Sequence, residues 1–149
     1  MQHKEYIVLF ENSMLSLYNL AGRMRGDLSS DIGYPRQHLR TLVRLHLGGK
    51  ALLKDIAKRD DIPTSNLCLI LKRLEKDGLV LRQIDDADRR NTWYSLTPAG
   101  TKIARVAADE FRRRIAELFS GMNKTDEAKL TAALRTMGEV LGKIESSHN

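Results

Sequence analysis

The residues best equipped for chemistry in this chain are an adjacent arginine pair, Arg89 and Arg90, inside the run DDADRRNTWYSLTPAG from Asp85 to Gly100. Guanidinium groups present planar donors to phosphate or to base edges. Three aspartates, Asp85, Asp86 and Asp88, crowd the same run, where they are better explained as shaping a turn than as an acid–base pair in an apolar setting. A second polar group lies upstream: Thr64, Ser65 and Asn66, followed by Leu69, Lys72, Arg73 and Lys76. Ser and Asn can exchange hydrogen bonds with base edges, and a leucine can meet a thymine methyl. Lysine and arginine serve phosphates, which supply affinity without sequence choice. A plainer account also fits, in which Thr-Ser-Asn caps a helix and the basic residues form a solvated face.

Both groups depend on the elements that carry them. Leu67, Ile70, Leu71 and Leu74 recur at the i, i+3, i+4, i+7 spacing of a buried stripe, predicting a helix from about 64 to 77. With that stripe inward, the 3.6-residue period turns Ser65, Leu69, Lys72, Arg73 and Lys76 outward. Two earlier helices are predicted: one opening at Pro35 and stopping at Gly48-Gly49, with Leu39, Leu42, Val43 and His46 near one face, and one over 51–59 burying Leu52, Leu53, Ile56 and Ala57. Residues 79–84 (LVLRQI) and 91–96 (NTWYSL) are the two segments of strand character, joined by the polar DDADRR. Thr97-Pro98 supplies a cap and a first-turn proline for the next helix. Two compact helices, a short turn and a hairpin form the layout of a winged helix-turn-helix.

The flanks are helical as well. Ile7, Phe10, Met14, Leu17, Ala21, Met24 and Leu28 mark a first helix over about 3–29, closed by Gly33 and Pro35. Beyond Pro98, Ile103, Val106, Ala107, Phe111, Ile115 and Leu118 form one stripe. A break at Gly121–Asn123 follows, then a last helix capped by Thr125 with Ala128 and bearing Leu130, Ala133, Leu134, Met137, Val140, Leu141 and Ile144. These stripes are wider than the intervening lobe could cover, which points to burial in a second copy, a homodimer. The fold class is thus mainly α with a small β-hairpin wing. We expect a single compact unit over 1–149, with dimerisation helices at 1–34 and 101–149 and a DNA-binding lobe at 35–100.

Composition agrees. The chain has 149 residues, 42% hydrophobic and 30% charged, with a formal charge of +6. Lys and Arg outnumber Asp and Glu by 13 to 8 in residues 36–100, so most of the basic excess sits in the lobe. No apolar run approaches the ~18 residues of a membrane span, the N-terminus does not read as a signal peptide, and the single Cys68 cannot form an intrachain disulfide. A cytoplasmic protein without membrane contact is expected. No Gly-rich phosphate loop or nucleophile motif is present, so an enzyme is not expected.

From Ile62 to Gly100 the sequence resembles the MarR family of bacterial winged-helix transcriptional regulators. The resemblance rests on LEKDGLV at the end of the recognition helix, the pair Asp88 and Arg90, the spacing from Arg90 to Leu96, and the LTPAG entry to the next helix. It implies a triangular homodimer whose two lobes bind a pseudo-palindromic double-stranded DNA operator. It places Arg89 and Arg90 at the minor groove, with Asp88 orienting a wing arginine. Leu69 departs from the polar or basic residue that family members often carry there. The resemblance further implies a small aromatic or anionic effector, for which Tyr18 and His38 are candidates, and the function reads as a repressor released by that effector. A winged-helix protein-interaction module, using its basic face on an acidic partner, stays open as the alternative.

Other sites are weaker. Cys68 borders the exposed helix face and reads as a small half-buried side chain rather than an oxidant sensor; redox-sensing relatives carry the reactive cysteine in the first helix. His38 and His46 lack neighbours at metal-ligand spacing, and His3 and His148 are near the termini. No metal and no cofactor is expected.

Overall fold

A computed structural model describes residues 4–24 and 32–147. Helix α1 spans Glu5–Arg23, α2 Arg36–Gly48, strand β1 Ala51–Leu52, α3 Leu53–Asp60, α4 Thr64–Lys76, β2 Val80–Ile84, β3 Thr92–Leu96, α5 Pro98–Leu118 and α6 Lys124–Ser147. The predicted continuation of the first helix to residue 29, with Leu28, lies outside the described residues, as do His3 and His148.

The helix-turn-helix core follows the apolar spacing. Leu67, Ile70, Leu71 and Leu74 of α4 are all buried, against Leu42 and Leu45 of α2, Ile56 and Ala57 of α3, and Tyr94 of β3. Pro35 is the residue before α2 rather than its first residue, because its ψ of 146° is extended. Its carbonyl accepts the amides of His38 at 2.9 Å and Leu39 at 3.2 Å. Gly49, with φ at 73°, ends the helix in the left-handed region that glycine tolerates. Between α2 and α3, Asp60 is buried to 2% exposure, and its Oδ1 accepts Arg44 at 2.7 Å and Arg59 at 3.2 Å. These pairs compensate a carboxylate that burial would otherwise penalise.

One element differs from the sequence expectation. Ala51 and Leu52 form a strand rather than the first turn of α3, pairing antiparallel with Tyr94 and Trp93 in a sheet of order β1-β3-β2. Two residues are too few to show alternation, and the pairing partner lies some forty residues away, so local pattern cannot reveal it. Leu52 and Leu53 are consequently half-buried rather than core.

The entry to α5 is built by contact. Thr97 Oγ1 accepts the Gly100 amide at 3.0 Å and donates to the Gly78 carbonyl at 2.7 Å, while the Thr97 amide reaches the Leu79 carbonyl at 3.0 Å. A Cβ on Gly100 would lie 1.9 Å from the Leu79 oxygen, so only glycine lets α5 start this close to the end of α4. The lobe-facing side of α5 is therefore small: Gly100, Ala104, Ala107 and Ala108 are buried. Val106 and Phe111, on the stripe that the sequence assigns to cover by a second copy, are exposed.

The contacts gather into two units, residues 1–114 and 115–149. The physical reason is that α6 buries none of its residues. Its cap is Asn123, not Thr125: Asn123 Oδ1 accepts the Asp126 amide at 2.9 Å, and its Nδ2 donates to Asp126 Oδ2 at 2.7 Å. In the first unit, α1 also buries no residue. Arg114 Nη1 donates to the Met24 carbonyl at 3.4 Å just beyond the end of α1. Glu110 accepts from Arg113 and Arg114, and these bonds lower its carboxyl to about 2.

Candidate nucleic-acid interface

Helix α4 offers one apolar and one polar face. Opposite its buried stripe, Ser65, Leu69, Lys72 and Lys76 are exposed, and Thr64, Ser65 and Asn66 occupy the exposed first turn. No side chain caps that end; the Pro63 carbonyl accepts the Leu67 amide at 3.0 Å. The three polar side chains are thus not consumed as caps and are presented outward. Leu69, 68% exposed, stands among them. The unpaired amides of Thr64, Ser65 and Asn66 and the positive end of the helix dipole at this turn favour an anionic partner.

Arg73 sits to one side. Its Nε pairs with Asp77 Oδ2 at 3.0 Å, and Asp77 also hydrogen-bonds Tyr34. Burial, then the Asp77 charge, pushes the Tyr34 phenol up. Burial, then Arg73, pushes the neighbouring His38 imidazole down, and His38 Nδ1 is buried without a hydrogen-bond partner. Tyr18, by contrast, is exposed on α1. Cys68 is a half-buried free thiol.

The wing is an antiparallel hairpin in the register Val80↔Leu96 to Ile84↔Thr92. Its core side carries Val80, Tyr94 and Leu96; burial raises the Tyr94 phenol while the hydrogen-bonded Arg82 opposes the rise. Trp93 lies on the other side, level with Gln83 and Leu52, as period-two alternation requires. The loop is shaped by its aspartates. Asp85 Oδ1 accepts the amides of Ala87 at 2.9 Å and Asp88 at 3.2 Å, and Asp88 Oδ1 accepts the Arg90 amide at 3.0 Å. Arg89 and Arg90 are exposed at the tip.

Sequence reasoning missed Lys50 and Arg82, two further basic residues of the wing. Lys50 donates to Gln83 Oε1 at 2.6 Å and stands 5.2 Å above the Trp93 ring. Its place depends on β1, the strand that the local pattern hid. Among the described residues, no group of three His, Cys, Asp or Glu side chains is placed to hold a metal ion, and no helix is long and apolar enough to cross a membrane.

A helix-turn-helix with an outward polar face and an arginine-tipped wing defines a winged-helix DNA-binding protein. Comparisons with known proteins narrow the class. The MarR family profile matches residues 35–92. The uncharacterized HTH-type transcriptional regulator YwaE of Bacillus subtilis is 28% identical over 137 residues, covering 92% of this chain and 80% of that protein. Wild-type apo MarR from E. coli superposes with a TM-score of 0.73 at 18% identity, over 85% of this chain and 94% of its own. NadR, crystallised in complex with 4-hydroxyphenylacetate, superposes with a TM-score of 0.65 at 23% identity, over 92% and 94%. Residues 35–92 thus match the MarR family of HTH-type transcriptional regulators, a non-enzymatic family whose members bind DNA and dimerise.

Proposed function

We propose that the protein is a homodimeric repressor that binds a pseudo-palindromic double-stranded operator through two copies of the lobe. The observation that carries this is the α4 face, where a fully buried stripe backs an uncapped, exposed first turn. In this reading Thr64, Ser65 and Asn66 contact base edges, and Leu69 meets a thymine methyl. Lys72 and Lys76 hold phosphates, with Arg73 contributing only where it exchanges Asp77 for DNA. Arg89 and Arg90 reach the minor groove or its phosphates, and Asp88 sets the main chain from which Arg90 leaves. The exposed apolar residues of α1 and of α6 each find cover in a second copy.

An aromatic or anionic effector releases the repressor by favouring a lobe spacing that no longer fits one operator. The aromatic carboxylate bound by NadR supports that ligand class. The orphaned His38 Nδ1 makes His38 a better candidate for it than the solvent-facing Tyr18.

The test is a gel shift on the DNA flanking the protein's own gene, repeated across salt and with 4-hydroxyphenylacetate as the effector probe. Affinity for one palindrome should fall steeply with salt, and Arg90→Ala should weaken it by more than about tenfold while the protein stays dimeric. Equal binding to every sequence would remove the regulator reading and favour a protein-interaction module. Binding unmoved by the probe would remove this effector class.

A further inference from the structure

The loop that carries Arg89 and Arg90 poses a physical problem. It runs from Asp85 to Asn91, longer than the two to five residues typical of hairpin loops, and holds neither glycine nor proline. No turn type enforced by backbone chemistry therefore sets its shape, and a loop of seven ordinary residues would sample many conformations. Two arginines on such a loop would lose entropy on meeting DNA, which weakens binding.

Main-chain bonds braced by side chains close the loop instead. The Asp85 amide donates to the Asn91 carbonyl at 3.0 Å, and the Asn91 amide to the Asp88 carbonyl at 2.8 Å. Asp85 Oδ1 gathers the Ala87 and Asp88 amides, and Asp88 in turn gathers that of Arg90. What fastens this chain of turns to the sheet is Asp85 Oδ2, which accepts the Trp93 indole N–H at 2.7 Å. Trp93 is itself held in the sheet one pair from the loop, level with Leu52 and Gln83 and beneath the Lys50 ammonium, which also binds Gln83.

We infer that Trp93 is the positioning residue of the wing: by clasping Asp85 it fixes the direction in which Arg89 and Arg90 leave the hairpin, and so sets how tightly the wing grips DNA. This rests on the wing arginines contacting DNA, as proposed above. The indole, the Ala87 and Asp88 amides and the nearby Lys50 charge all favour the ionised carboxylate, and Asp85 is accordingly held below the ordinary aspartate value. A tryptophan that merely packed would need its ring and not its N–H.

Trp93→Phe separates the two, because it keeps a ring under Lys50 and removes the donor. In the free protein, amide exchange at Ala87 and Asp88 should accelerate by roughly tenfold, while the melting temperature barely moves. Operator affinity should fall by about five- to tenfold, in the range of one charge-assisted hydrogen bond at an exposed site. In an Arg89→Ala/Arg90→Ala background the same change should cost no further affinity.

Asp85→Asn, which leaves the ring untouched, should reproduce these effects and shift the emission of Trp93, the only tryptophan of the chain. Asp86→Asn should do neither. If Trp93→Phe lowers the melting temperature strongly, the Asp85→Asn arm decides. Unchanged amide exchange in both variants would overturn the clasp. Accelerated exchange with unchanged DNA affinity would overturn its positioning role. Should the unaltered protein bind no DNA, the regulator reading falls and the positioning role with it, and the exchange data would still report whether the clasp exists.

Discussion

The helix-turn-helix lobe and the terminal helices use comparable numbers of leucines, isoleucines and valines and reach opposite outcomes. In the lobe, α4 alone buries four large apolar side chains, and the sheet, α2 and α3 close over them. In α1 and α6 no residue is buried, although Phe10, Met14 and Leu17 on one helix and Leu134, Met137 and Val140 on the other repeat at helical spacing. An amphipathic stripe states that a face needs cover, not where the cover comes from. For the lobe it comes from the same chain. For the terminal helices neither unit supplies it, and the homodimer proposed above is the simplest source.

The sharpest way to break this contrast is to truncate both kinds of apolar face. Leu71→Ala should cost the lobe about 2–5 kcal/mol, the range for a buried leucine, read as a drop in denaturation midpoint from the parent that is the same at every protein concentration. Val140→Asp, on the exposed face of α6, should instead abolish self-association by light scattering and make thermal unfolding independent of dilution, where the parent protein melts lower as it is diluted. A Val140→Asp protein that still dimerised would show that α6 is not the dimer face.

A smaller effect concerns charge. Glu110 sits well below its ordinary value, at about 2, because Arg113 and Arg114 bind its ionised form. A depressed acid contributes stability that is present above the unfolded value of 4.5 and lost as pH falls through about 2. Carboxyl chemical shifts should therefore place the Glu110 midpoint near 2, and a midpoint near 4.5 would mean that these ion pairs do not persist in solution. Its partner Arg114 also reaches the Met24 carbonyl, so losing the pair should loosen the contact between α5 and the end of α1.

Legibility in the sequence followed the range of the interactions. The Leu67, Ile70, Leu71, Leu74 stripe, the Gly48-Gly49 stop and the Thr97 cap all act within a turn or two of helix, and each lies where local spacing predicts it. The outward group on α4 follows from that stripe by geometry alone. β1 was hidden because its two residues acquire meaning only beside β3. Lys50 was hidden with it. The cap of the last helix was misplaced by two residues, since Asn123 and Thr125 are both good caps and only the main-chain geometry chooses between them. Trp93 could be assigned its face by alternation but not its partner.

By itself, the sequence determined which helices are two-faced, where they stop, and that a polar loop holding an arginine pair joins two strands; these are consequences of periodicity and of turn chemistry. Only the tertiary structure decided that Asp60 is buried between arginines, that Gly100 abuts the Leu79 carbonyl, and that the indole of Trp93 closes onto Asp85. The reason is that a hydrogen bond or a close approach between distant residues depends on distances of a few tenths of an ångström, which composition and spacing along a chain do not encode until the core has packed.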